Sequence, residues 1–369
     1  MRRGPVTGTR SSSPEGAAGA ATTRSPRGTA VCGQASQGTP SGRVPERPRG
    51  SNPFADPGAP GRRPATGSAQ PPAPRRSREG ARSRAGLRLL GVDFTSAPRA
   101  AKPITVAHAR LWSPSRADEP ARFELEALQS IAGFEGFESL LASPGPWVGG
   151  FDFPFGLPRE AVLALGWPCE WRALVGHCEA IGREAFRTAL DRHRETRPWG
   201  ARYEHRAGDR AAGSHSPLKL VNPPVGLMFL EGAPRLARAG VHLPGLAGGD
   251  PSRVALEAYP GHWVRQQERE SYKSDTPAKQ TPARAAARGR IVAALLAGAS
   301  APGLRVELPA PLARTAVEDA SGDTLDAIVC ALQAALAALQ AGQGWGLPAE
   351  VDPIEGWITG VRPLSPEAA

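Results

Sequence analysis

Lysine is almost missing from this chain: there are four in 369 residues, and none precedes Lys102. Cysteine is equally sparse. Cys32, Cys169, Cys178 and Cys330 show no paired-ligand spacing, which excludes a disulfide framework and the common zinc ribbons. Cys169 and Cys178 lie with His177 on a helical stretch and read as reduced helix-face residues. No apolar run reaches the ~18 residues that cross a bilayer, and no signal-peptide core is present. The expectation is a cytoplasmic protein with no membrane partner.

The positive charge sits at one end. Residues 1–86 carry 15 Arg against 4 acidic residues, a net +11, while the whole chain is +10. Residues 87–369 therefore come to −1 (30 basic, 31 acidic), whereas nucleic-acid enzymes usually present a basic groove. The first 86 residues are rich in Gly, Pro, Ser and Arg and have little to bury, so disorder is expected there. Such a tail reads as a basic arm for nucleic acid, as a transit peptide without a clear amphipathic helix, or as untranslated GC-rich codons read as protein. Under the last reading a start near residue 87 would need a non-Met codon, the next Met being Met228.

From Leu87 regular elements begin. LRLLGVDF, ITVAHARL (104–111) and RFELEAL (122–128) read as three strands, joined closely enough to be antiparallel. SIAGFEGFESLLAS reads as a helix and PWVGGFDF as a buried strand stopped by Pro154. Residues 157–250, helical and then Gly/Pro-rich, are too long for a connection and read as an insertion or cap. RVALEAYPG is the fifth strand. Helices over PARAAARGRIVAALLAG and DTLDAIVCALQAALAALQ close the domain, with LRVEL as a possible short strand between them. The fold class is α/β: a mixed five-stranded sheet flanked by helices, with a mainly helical and loop insertion between strands four and five. The domain spans 87–360 and a C-terminal tail spans 361–369.

Five carboxylates fall where chemistry sits in open α/β sheets. Asp93 ends the first strand, Asp152 ends the fourth, and Glu257 lies in the fifth. Asp323 and Asp326, three apart, share a face at the first turn of the last helix. Four have an ordinary explanation: a turn residue for Asp93 and Asp152, a solvent-facing charge for Glu257, a cap for Asp323. Asp326, between Leu325 and Ala327 inside the helix, is less easily dismissed. Their convergence points to divalent cations, because oxygen-only donors favour Mg²⁺ or Mn²⁺ over zinc. Arg159, Lys219 and Lys273 are weaker candidates for meeting substrate phosphate. Trp147, Phe151, Phe153 and Phe155 read as core.

GVDFTSAP (91–98), GFDFPFGLPR (150–159), EAYPG (257–261), YKSD (272–275), GDTLDAIVCALQAA (322–335) and DPIEGWI (352–358) together resemble the family catalogued as domain of unknown function 429. That family is described as a predicted nuclease with an RNase H-like fold, and the strand order above suits that fold. The Asp323-Thr324-Leu325-Asp326-Ala327 arrangement is also similar to that of Holliday-junction resolvases. The resemblance implies phosphodiester hydrolysis by two Mg²⁺ or Mn²⁺ ions about 4 Å apart. Asp93 would bridge both ions, Asp152 or Glu257 would complete one site, and Asp326 with Asp323 the other. Nucleic acid would be the partner. A non-catalytic binding module on the same fold and an actin-like ATP-dependent phosphotransferase are the alternatives. The latter would need a second domain and glycine-rich phosphate loops.

Overall fold

A computed structural model describes residues 86–365, apart from residues 117, 300 and 302. The basic tail and Cys32 lie outside the described residues. The elements run β1 (Leu87–Asp93), β2 (Ile104–Trp112), β3 (Ala121–Ile131), α1 (Phe134–Leu141), β4 (Trp147–Asp152), α2 (Arg159–Ala164), α3 (Trp171–Thr196), α4 (Ala207–Ala212), α5 (Val225–Ala239), β5 (Val241–His242) and β6 (Asp250–Glu257). They continue with α6 (Pro260–Gln267), α7 (Pro282–Leu296), β7 (Leu304–Glu307), α8 (Ala310–Glu318) and α9 (Asp323–Ala338).

The fold is mixed α/β. Among the described residues its sheet has seven strands, in the order β5-β6-β4-β1-β2-β3-β7. The expected five are corrected to seven by two short edge strands: β5, of two residues, beside β6, and the four-residue β7 beside β3. β1–β2 and β2–β3 pair antiparallel, whereas β1–β4, β4–β6, β5–β6 and β3–β7 pair parallel. β3 also runs further than its alternating pattern suggests. Ser130 and Ile131 pair with Thr105 and Ile104, so the following helix begins only at Phe134.

Alternation along the strands sorts side chains into two cores. Leu90, Val92, Ile104, Val106, Trp147 and Phe151 face one side, where they join Leu174, Phe186 and Leu190 of α3 and Phe229 and Leu236 of α5. Within residues 157–250, α3 and α5 thus cover one face of the sheet and share its core. α5 falls where Gly/Pro-rich loop is expected on both sides and has Pro234 inside it. The buried stripe Leu227, Phe229, Leu230, Ala233 and Leu236 holds it against the sheet. Trp147, Phe151, Phe153 and Phe155 are buried, with Phe94 packed on Phe153 at 4.6 Å between ring centroids.

Leu89, Ala107, Ala109, Val148 and Leu256 face the other side, against α9, whose Leu325, Ile328, Val329 and Leu332 are fully or almost fully buried. Gly91 and Gly150 are register partners on β1 and β4 and face this helix. A Cβ built on Gly91 would lie 1.9 Å from the Ala327 carbonyl oxygen, and one on Gly150 would lie 2.3 Å from that of Cys330. The helix backbone therefore rests on the strand backbones, an approach open only to glycine.

Gly150→Ala should destabilise the protein by at least about 2 kcal/mol in urea unfolding, because the clash is with backbone that has nowhere to move. Gly176→Ala in α3, where an added Cβ would meet nothing within 4 Å, should be neutral or mildly stabilising. Equal stability of the two variants would show that helix and sheet are not locked in this way.

Candidate metal centre

Asp93 and Asp152 are register partners at the carboxyl ends of the parallel strands β1 and β4, two residues beyond the glycines that carry α9. Alternation sends both side chains to the α9 side. There Asp326, fully buried in the first turn of α9, meets them: one oxygen from each of Asp93, Asp152 and Asp326 lies within 4.8 Å of the others. Among the described residues this is the one such carboxylate, His or Cys group. Asp93 and Asp152 line a cavity of about 690 Å³ whose apolar wall includes Phe94, Pro224, Met228 and Tyr259, with Asp326 buried beneath them.

The start of α9 depends on a neighbouring carboxylate. Asp319 accepts from the Ser321 N–H and hydroxyl through Oδ1 and from the Thr324 N–H through Oδ2 (2.8 Å). It thereby takes the capping role open to Asp323. Gly322, at φ +80°, turns the chain into the helix. Asp323 is instead gripped by Lys102, whose ammonium donates to both of its oxygens (3.0 and 2.9 Å) and to Asp275 (2.8 Å). Asp326 accepts from the Tyr272 hydroxyl at 2.6 Å and pairs with Lys273. Tyr272 is itself fixed through its carbonyl, which accepts from the buried Arg288.

Glu257 closes β6 but stands outside the trio. Arg206 donates to both of its oxygens (2.5 and 2.8 Å), and the Phe155 N–H donates to Oε2. Arg206 is fully engaged as well, with Asp209 and the Glu355 carbonyl. This buried network ties α4 and the C-terminal segment to the sheet. Arg159 pairs with Asp352 at the base of α2, and Lys219 sits in a turn on Ser216. Neither lines the cavity, whereas Lys102 and Lys273 do. Lys102, Tyr272, Arg206 and Asp319 carry no local sequence signature. Only the rarity of lysine and the Tyr272–Lys273 adjacency in YKSD hint at two of them. Cys178 is buried in the apolar core, and Cys330 lies buried on α9 against Gly150.

The electrostatics separate these carboxylates. Burial, then repulsion from Asp323 and Asp326, raises the Asp93 pKa well above its ordinary value. Burial pushes Asp152 up to about 7 although Lys273 opposes the shift. Asp323 is raised by burial against the pull of Lys102. Burial also raises Glu257, with Arg206 restraining the shift. Burial works against the charge on Lys102, but its bonds to Asp275 and Asp323 carry its pKa to about 12. Desolvation likewise disfavours charged Lys273, but Asp326 and the neighbouring acids outweigh it and hold its pKa up.

The family described as Protein of unknown function (DUF429) matches residues 91–352, and the chain belongs to it. No curated protein and no solved structure matches the chain. Among the described residues no helix is long and apolar enough to cross a membrane.

A carboxyl whose folded pKa exceeds its unfolded one binds its proton more readily when folded, so stability falls as pH rises through that interval. In metal-free protein, Asp152→Asn should therefore raise the unfolding free energy above about pH 7, by on the order of 1–3 kcal/mol. The gain should fade below about pH 4, where Asp152 is protonated in either state. A gain that does not vary with pH would contradict the assignment. Arg206→Met should do the opposite and cost about 3–5 kcal/mol, because it strands buried Glu257 and Asp209 without their partner.

Proposed function

We propose that the chain is a divalent-metal-dependent nuclease that hydrolyses phosphodiester bonds, built on an RNase H-like sheet. The observation that carries this reading is the carboxylate trio at the strand ends. Asp93, Asp152 and Asp326 are close and oxygen-only, and burial with repulsion from neighbouring acids makes Asp93 and Asp152 costly to ionise without a cation. That donor set fits a hard ion such as Mg²⁺ or Mn²⁺. The central strands β3-β2-β1-β4-β6, two antiparallel pairings followed by two parallel ones, support the RNase H-like assignment.

Asp93, Asp152 and Asp326 would hold the ion. When bound, it supplies Lewis-acid polarisation of the phosphodiester and eases deprotonation of the attacking water. The protein's own groups do the rest. Lys102 and Lys273 bring two ammonium groups to the cavity that holds the acids, where they counter phosphate charge. Phe94, Pro224, Met228 and Tyr259 offer an apolar wall to a base or sugar and restrict water. Tyr272 fixes Asp326 in the rotamer that faces Asp93 and Asp152.

A panel of single-stranded, duplex, hybrid and branched nucleic acids incubated with Mn²⁺ tests the activity. Cleavage is expected in at least one, abolished by chelator and reduced at least about 100-fold by Asp93→Asn or Asp326→Asn. Cleavage that survives both substitutions would remove these residues from the reaction. Absence of cleavage across the panel would remove the nuclease assignment.

A further inference from the structure

Counting the oxygens that the protein has already engaged limits how many ions the site takes. Lys102 engages both oxygens of Asp323, and Arg206 both of Glu257. Asp326 has Tyr272 on one oxygen and Lys273 on the other. Of the five carboxylates, Asp93 and Asp152 are the two with no hydrogen-bonding or ion-pairing partner on their side chains among the described residues. With the remaining lone pairs of Asp326, they make one set of donors, within 4.8 Å of one another. A second ion held by Asp323 or by the engaged oxygens of Asp326 would have to evict Lys102 or Lys273.

Charge points the same way. Asp93, Asp152, Asp323, Asp326 and Asp275 bring −5 when ionised, and Lys102 and Lys273 return +2, so one divalent ion brings the cluster from −3 to −1. A second ion would turn it positive in a part-buried site before any substrate arrives, where uncompensated charge is expensive. Lys273 is also built into place. Its stem crosses Gly322 so closely that a Cβ there would lie 2.6 Å from the Lys273 Cβ, and its neighbour Tyr272 is buried and held by Arg288.

Resting on the metal-dependent reading above, we infer that the free protein takes one divalent cation, at Asp93, Asp152 and Asp326, and that the Lys273 ammonium occupies beside Asp326 the charge position of a second. Mn²⁺ titration of the full chain, followed by calorimetry and by electron paramagnetic resonance of bound Mn²⁺, reads the stoichiometry directly. One ion per chain is expected for the wild type and for Lys273→Arg, rising to two in Lys273→Met, which frees an Asp326 oxygen and removes one positive charge. Two ions on the wild type would overturn the inference and leave the metal-dependent reading intact, as would a Lys273→Met variant that still takes one. Failure of the wild type to bind Mn²⁺ at all would overturn both. One bound ion without cleavage of any nucleic acid would remove only the nuclease assignment.

Discussion

The contact between α9 and the paired glycines of β1 and β4 sets the position of almost everything that follows. Gly91 and Gly150 lie opposite each other in register, and each meets a carbonyl of α9 at a distance that no side chain tolerates. Ala327, Cys330, Ala331 and Ala334 keep the helix face thin enough for that approach, and all are buried. Two residues beyond the glycines, alternation returns Asp93 and Asp152 to the same side. One residue before Ala327, the helix presents Asp326. Backbone packing thus brings the three carboxylates together at the sheet edge without help from attraction between them, and against their mutual repulsion.

That repulsion is resolved differently at each acid. Glu257 and Asp209 are settled by Arg206, whose planar fork meets both carboxylates, so this part of the interior is a closed network. Asp323 is settled by Lys102, reached across 221 residues of sequence from the β1–β2 connection. Asp326 is partly settled by Tyr272 and Lys273. Asp93 and Asp152 are left, raised in pKa by burial and by their neighbours. That the fold pairs its other buried acids and leaves these two bare is the ground for the proposed cation site.

Much of this arrangement is legible in the sequence, for a physical reason. β1, β2, β4, β6 and α9 are long or strongly apolar, and Asp93, Asp152 and Asp326 sit at element ends that hydrophobic pattern marks. The edge strand β5, of two residues, is too short to show a period, whereas LRVEL alternates and forms β7. α5 is obscured by Pro234 and by glycines whose cost is offset by its buried stripe, and α6 and α8 are short helices entered through proline. The division of the acids is illegible altogether. Whether Glu257 holds a metal or an arginine depends on Arg206, 51 residues earlier, and whether Asp323 caps its helix depends on Asp319 being available to cap it instead.

The scarcity of lysine then takes on a meaning. Arginine, the abundant cation, serves as a brace wherever a fork can span two acceptors: Arg159 on Asp352, Arg206 on Glu257 and Asp209, and Arg288 on the Tyr272 and Val317 carbonyls. Two of the four lysines are found together at the acidic cavity. An ammonium is a compact point charge with no fixed fork, closer to a small cation in size and field than a guanidinium is. Where the fold needs rigid bridging it uses arginine, and where the acids of the cavity are balanced it uses lysine. The two ammonium groups of the near-neutral folded domain thus sit in the cavity that Asp93 and Asp152 line, where they offset the charge of its acids.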